Sequence, residues 1–290
     1  MKPTAAGKSV SPTFYIIKPP KPCGFFHLLF SVFCDLMVAE KRHFIPVVDF
    51  EHYKTYYNED VTVGDTKNCW EYYFEPVSGY TVAQATRAKN KCFSDGNYRL
   101  SEFRDLPTYY SAHRPPNAAM ITNLQRIIQK YIRIKPNLLA ELEETLLPLR
   151  DKYTLGIHYR GTDMRVTPKH PKPPALPLML EQADKALSGG GFDTLYLCTD
   201  EEPAAQAFRN KFGEKLLISD SYRAPTQSTK GIHTDKSSPR PLHRYLLGKE
   251  VLFDALALAR CKSLLCGHSN VAYGAMIFNN NKYINIKLIE

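Results

Sequence analysis

The chain has 290 residues, of which 43% are hydrophobic and 23% charged, enough apolar surface to build packed cores and to exclude global disorder. Lysine and arginine outnumber the acids 38 to 29, and the net charge of +9 points to an anionic partner: nucleic acid, a membrane surface or a phosphorylated small molecule. The excess is spread out, with no run of five basic residues, so nucleic acid is not the expected partner.

A chain of this length fits two domains of roughly 100 to 200 residues, and its pattern changes near residue 150. The apolar run Phe14-Tyr15-Ile16-Ile17 stops at Lys18-Pro19-Pro20 and predicts a short strand. From residue 25 to about 41 apolar residues keep a helical period, a buried amphipathic helix that opens at Gly24-Phe25-Phe26-His27, and residues 44–49 predict a buried strand. Strand, helix and strand in that order begin an α/β layer. Between Glu51 and Pro116 tyrosines cluster and turn formers recur, which predicts loops and short irregular elements. Helices over 117–132 and 136–149, the second with proline in its first turn, close an N-terminal α/β domain of residues 1–150.

Residues 24–39 include His27 and Asp35 and fall short of the roughly 20 apolar residues of a spanning helix. The first ten residues lack an apolar core after their lysines, so no secretory signal is expected. Seven cysteines without a CxxC pair argue against a disulfide framework and for a reducing compartment. The expected location is the cytoplasm, with at most peripheral membrane contact.

From residue 151 to 290 strands and helices alternate: strands over 153–159, 194–198, 215–219, 263–266 and 283–288, and helices over 176–187, 203–212, 247–261 and 270–278. Gly189-Gly190-Gly191 reads as a helix exit. This is the rhythm of a parallel sheet, which binds ligands at the carboxyl ends of its strands, here after Tyr159, Cys198 and Cys266.

Those three ends carry the candidate site. The first strand runs into His158-Tyr159-Arg160-Gly161-Thr162-Asp163. Arginine presents a rigid fork of donors suited to phosphate, and glycine lets backbone approach a ligand; an Arg160–Asp163 ion pair capping a turn is the structural alternative. The second ends in Thr199-Asp200, just before a helix with Pro203 in its first turn, where either side chain equally suits a helix cap. Third, Asp254 sits inside the apolar run 251–256 and must pair with something. After Cys266, Gly267-His268-Ser269-Asn270 leads into a helix whose free N–H groups and dipole favour phosphate, with Ser269 or Asn270 as an ordinary cap the alternative.

Together these segments resemble the α1,6-fucosyltransferase and nodulation fucosyltransferase superfamily, in which a strand ending His-x-Arg-x-Thr-Asp precedes a Thr-Asp strand tip and then a helix-strand-Ser segment. The resemblance covers roughly residues 152–278. It implies a GT-B-like fold, two Rossmann-like α/β domains facing across a cleft, with the nucleotide sugar held mainly by residues 151–290. It also implies that Arg160 and Ser269 meet the β-phosphate, that His158, Asp163 and Asp200 belong to the donor site, and that Asp254 faces the guanine base. Gly161 stands where the family has a second arginine, Met164 at its next basic position, and Pro168 at its proposed general base. The donor grip is retained in this pattern, and the base machinery is not.

Gly24-Phe25-Phe26-His27 opens a helix after a strand, where related transferases place a glycine loop beside the donor–acceptor cleft; a simple turn is the alternative. The segment Asn68-Cys69-Trp70-Glu71-Tyr72-Tyr73-Phe74-Glu75-Pro76 suits either sugar binding or a buried interdomain plug. No Asp-x-Asp, His-x-x-x-His or paired cysteines suggest a metal, and no P-loop is present, so neither metal nor other cofactor is expected. The expectation is an inverting, metal-independent glycosyltransferase moving fucose from GDP-fucose to a glycan or lipid-linked saccharide, with Asp163 the first candidate base and His27 and Glu75 in reserve. Another donor (UDP-xylose, another UDP-sugar or GDP-mannose), a non-catalytic nucleotide- or carbohydrate-binding protein, and a binder of single-stranded RNA are the rivals.

Overall fold

A computed structural model describes residues 12–94, 114–168, 170–225, 228–235 and 238–290 of the chain. It opens with β1 (Phe14–Ile17), α1 (Phe25–Lys41) and β2 (Ile45–Val48). A 3-10 turn (Cys69–Tyr72), α2 (Val82–Arg87), β3 (Lys91–Phe93), α3 (Ala118–Tyr131) and α4 (Pro136–Thr145) follow. These strands form one parallel sheet of order β2-β1-β3.

The remainder is β4 (Thr154–Tyr159), α5 (Leu176–Ser188), β5 (Thr194–Thr199), α6 (Glu202–Phe212), β6 (Leu216–Ile218), α7 (His243–Arg260), β7 (Ser263–Cys266), α8 (Asn270–Asn279) and β8 (Asn285–Leu288). Its five strands run parallel in the order β6-β5-β4-β7-β8. Renumbered from β4, that is the 3-2-1-4-5 order of a doubly wound sheet. The connections reverse direction between β4 and β7, and the crevice outside their carboxyl ends is where such sheets bind ligands.

The expected α/β class holds, with local corrections. The helix read as amphipathic, α1, is instead buried on every side: all its residues from Leu28 to Ala39 are buried, as befits a helix apolar all round. Within the stretch read as irregular, α2 carries a complete capping box from Thr81 to Gln84, and β3 adds a third strand. Part of that stretch, residues 95–113, lies outside the described residues. The helix expected at 247 begins at His243.

A single core cluster draws on α1, α3, α7 and α8, so the two sheets share apolar packing. Gly274 of α8 makes this possible, since a Cβ there would lie 2.2 Å from the ring of Phe26 on α1. Lys249–Glu141 at 2.6 Å and Arg260–Glu143 at 2.7 Å join α7 to α4. The aromatic segment is the buried plug rather than an open sugar platform. Trp70, Tyr72, Tyr73 and Phe74 are buried, and Tyr73 donates its hydroxyl to the Tyr245 carbonyl at 3.0 Å. Among the described residues no helix is long and apolar enough to cross a membrane.

Candidate active site

Central β4 pairs with β5 and β7, so its end places Arg160 at the switch point. The chain then turns sharply, and the acids at the end of β5 shape that turn. Asp200 Oδ1 accepts from the Gly161 N–H at 3.0 Å, and Glu201 Oε1 accepts from the Thr162 N–H at 3.0 Å. Glu201 also holds Arg165 through both guanidinium nitrogens. A Cβ on Gly161 would lie 2.1 Å from Glu201 Oε2 and 2.6 Å from an Arg165 nitrogen, which is why glycine stands here. Thr162 has φ +29, a costly conformation for a β-branched residue, of order 1–3 kcal/mol. Its hydroxyl lies 3.0 Å from Asp163 Oδ1 and 2.5 Å from Asp200 Oδ2, which helps to hold it there.

Arg160 is thereby fixed. Its Nη2 donates to Asp163 Oδ1 at 2.7 Å, and its Nε lies 3.9 Å from Asp200 Oδ2. Burial opposes the charge, but Asp200 and then Asp163 outweigh it and hold the guanidinium pKa above its usual value. The Arg160–Asp163 ion pair therefore exists, yet it engages only part of a five-donor guanidinium. Burial would raise the pKa of Asp163, but Arg160 dominates and lowers it. For Asp200 burial wins and the pKa rises.

Arg160 lines two neighbouring spaces. The outer cleft, about 270 Å³, is lined by Gly24 and His27 of the first half and by Arg160, Asp163, Ser269 and Asn270 of the second. The amino ends of α1 and α8 both border it, and their dipoles favour an anion. Ser269 accepts from the Val271 N–H at 3.1 Å, so it is the helix cap the sequence allowed, and as an acceptor it keeps its own hydroxyl proton to donate. Among the described residues the buried Oδ1 of Asn270 has no hydrogen-bond partner. The second space, about 50 Å³, is lined by Arg160 together with His158, Asp200 and Asp254. Burial, reinforced by Arg160, pushes His158 down to about 3, so its imidazole is neutral, and Nδ1 has no partner among the described residues. Asp254 does pair, but with hydroxyls: Ser219 donates at 2.7 Å and Ser221 lies at 3.4 Å. Burial still pushes it up to about 6.

All nine residues singled out from the sequence thus line one or the other of two spaces that share Arg160 as a wall. Thr199 and Asp200 do not cap α6, which has no side-chain cap; Asp200 braces the β4 turn instead. The reserve base Glu75 is not among the residues lining either space; its N–H bonds the Arg133 carbonyl. Pro168 is exposed and lines neither space. Sequence reasoning missed Glu201 and Arg165, which support the turn. It also missed Tyr57 and His233, both in the outer cleft, where His233 packs on Tyr56 with ring centroids 5.2 Å apart. Burial pushes His233 down to about 4.

Two parallel-sheet α/β halves meeting at a cleft define a GT-B-like fold, and solved structures share it. The chain is similar to NodZ α1,6-fucosyltransferase co-crystallised with GDP, at 14% identity and TM-score 0.55, with 92% of each chain covered. It is likewise similar to NodZ from Bradyrhizobium, at 13% identity and TM-score 0.55 over 92% of this chain and 93% of that one. For POFUT1 in complex with GDP-fucose the values are 10% identity and TM-score 0.56, over 97% of this chain and 99% of that one. At these identities the likeness is one of fold. No protein-family model matches the sequence, and no curated protein does.

Proposed function

We propose that this protein is an inverting, metal-independent glycosyltransferase that moves a sugar, fucose from GDP-fucose in the favoured case, to a glycan or lipid-linked saccharide. The observation that carries the proposal is Arg160, held by Asp163 and Asp200 at the switch point and bordering a cleft that two helix amino ends share. A diphosphate in that cleft meets fixed donors from both sides. Such donors stabilise the charge that develops on the leaving group without reorganising. The second space, lined by Asp254, suits the base, whose N1–H and exocyclic amine are donors in guanine. The fold shared with structures solved with GDP and GDP-fucose supports the same donor. Fixed cations and helix dipoles take the role a metal would have at the diphosphate, so turnover in excess EDTA is part of the proposal. The division at residue 150 and the cytoplasmic location belong to it too.

Asp163 is the proposed proton acceptor, because it is the one carboxylate among the described residues lining the outer cleft. Its bond to Arg160 favours a second reading, a nucleotide-binding protein without transfer, since the lowered pKa blunts a base. A thermal-shift panel of GDP, UDP, CDP and their sugar conjugates tests donor binding: a ligand at a hundred times its Kd stabilises by about 2.7 kcal/mol. Stabilisation by GDP and GDP-fucose with release of fucose supports the transferase. Stabilisation without turnover supports the second reading, and no shift with any nucleoside diphosphate removes both.

A further inference from the structure

We infer that Tyr57, which comes from the first half of the chain, donates its hydroxyl hydrogen to the diphosphate held by Arg160. The inference rests on the donor site proposed above. Tyr57 is 3% exposed, and it borders the outer cleft together with Arg160, Gly24 and Ser269. Its hydroxyl oxygen accepts the N–H of Phe25, the first residue of α1, at 2.7 Å. That bond uses the oxygen as an acceptor only. The hydroxyl hydrogen has no acceptor among the described residues.

A buried donor left unmatched beside a space is expected to meet a group that enters it. The choice of an anion follows from the surroundings. Accepting from the amino end of a 17-residue helix polarises the phenol and makes its O–H a stronger donor, so the helix's positive end is felt at a side chain that lines the cleft. Burial also raises the phenol pKa, so the proton stays in place across the assay range. The ring is held by edge-on packing against Phe25, with centroids 5.4 Å apart. The diphosphate is thus gripped from both halves, by Arg160 on one side and by Tyr57 on the other.

The test compares GDP with GMP, because only GDP carries the β-phosphate. Calorimetric titration of Tyr57→Phe should give GDP binding about tenfold weaker than wild type, the loss of one charge-assisted hydrogen bond, with GMP binding unchanged. GDP affinity equal to wild type, or equal losses for GDP and GMP, overturns the inference. Tyr57→Phe also strands the Phe25 N–H, so a second measurement leaves the hydrogen bond intact: 3-fluorotyrosine placed at position 57 and followed by ¹⁹F NMR. Its resonance should move on adding GDP and stay still with GMP. A resonance that ignores GDP while GDP binds overturns the assignment to Tyr57 alone. Wild-type protein that binds no GDP overturns the donor site as well.

Discussion

The turn after β4 is the part of the site that other residues most tightly constrain, and Gly161→Ala probes it. The added methyl would lie 2.1 Å from Glu201 Oε2 and 2.3 Å from its Cδ, well inside contact distance. Glu201 has little room to retreat, because its side chain is 2% exposed and bonded to both Arg165 and the Thr162 N–H. The substitution must therefore separate the Glu201–Arg165 pair or shift the turn. Breaking a buried pair costs about 3–5 kcal/mol. Arg165 keeps 27% of its side chain exposed, which favours the low end. A loss of about 3 kcal/mol lowers the unfolding midpoint of a chain this long by roughly 6 °C. Arg160 adjoins the displaced residue, so GDP affinity should fall as well. Thermal unfolding and calorimetry measure both effects, and in a Glu201→Ala background the cost of Gly161→Ala should shrink. An unchanged midpoint with unchanged GDP affinity would refute the clamp.

Asp254 makes binding and stability respond to pH in opposite directions. Its folded pKa of about 6 lies above the usual carboxylate value, so the native chain holds a proton that the unfolded chain has released between about pH 4 and 6. Its contribution to stability is therefore complete below that window and is lost as pH rises through it. Only the ionised carboxylate accepts both guanine donors, so GDP should bind more tightly as pH rises toward 6, by up to about tenfold per unit. Asp254→Asn should remove that dependence and weaken GDP more than UDP in titration calorimetry; UDP binding tighter than GDP to the wild type would move the donor to a UDP-sugar. Asp163→Asn should lower kcat by at least about a hundredfold if the residue is the base. Loss of GDP affinity in the same variant would make it a partner of Arg160 instead, and normal turnover would clear it of both roles.

Most of the second sheet was legible because β4, β5 and β7 are buried along their whole length and bounded by polar turns, and because α5 and α6 carry proline in the first turn. Elements were missed where that signal fails. Strand β3 is three residues, two of them exposed, and is recognisable only by its pairing with β1. The first turn of α7, with His243 and Arg244, has no apolar period, although His243 is buried. For α2 a signal was present in Thr81 and Gln84 and was not used. Arg160 and Ser269 could be singled out because strand-end chemistry is local in sequence, and Asp254 because an acid stands out in the apolar run of a helix. Glu201 and Tyr57 could not be assigned roles in the same way. Glu201 acts on a turn 39 residues earlier, and Tyr57 caps a helix that begins 32 residues before it. Such roles arise only when strands and helix ends are brought together.

The central claim is that Arg160 grips the diphosphate of a sugar nucleotide, and titration of GDP-fucose into the wild type and Arg160→Ala tests it most directly. A lost charge-assisted contact of about 1.5–3 kcal/mol predicts affinity lower by about 10- to 100-fold, with the far-ultraviolet spectrum unchanged. Equal affinity in the two proteins, or a folded wild type that binds no nucleoside diphosphate, would contradict the account.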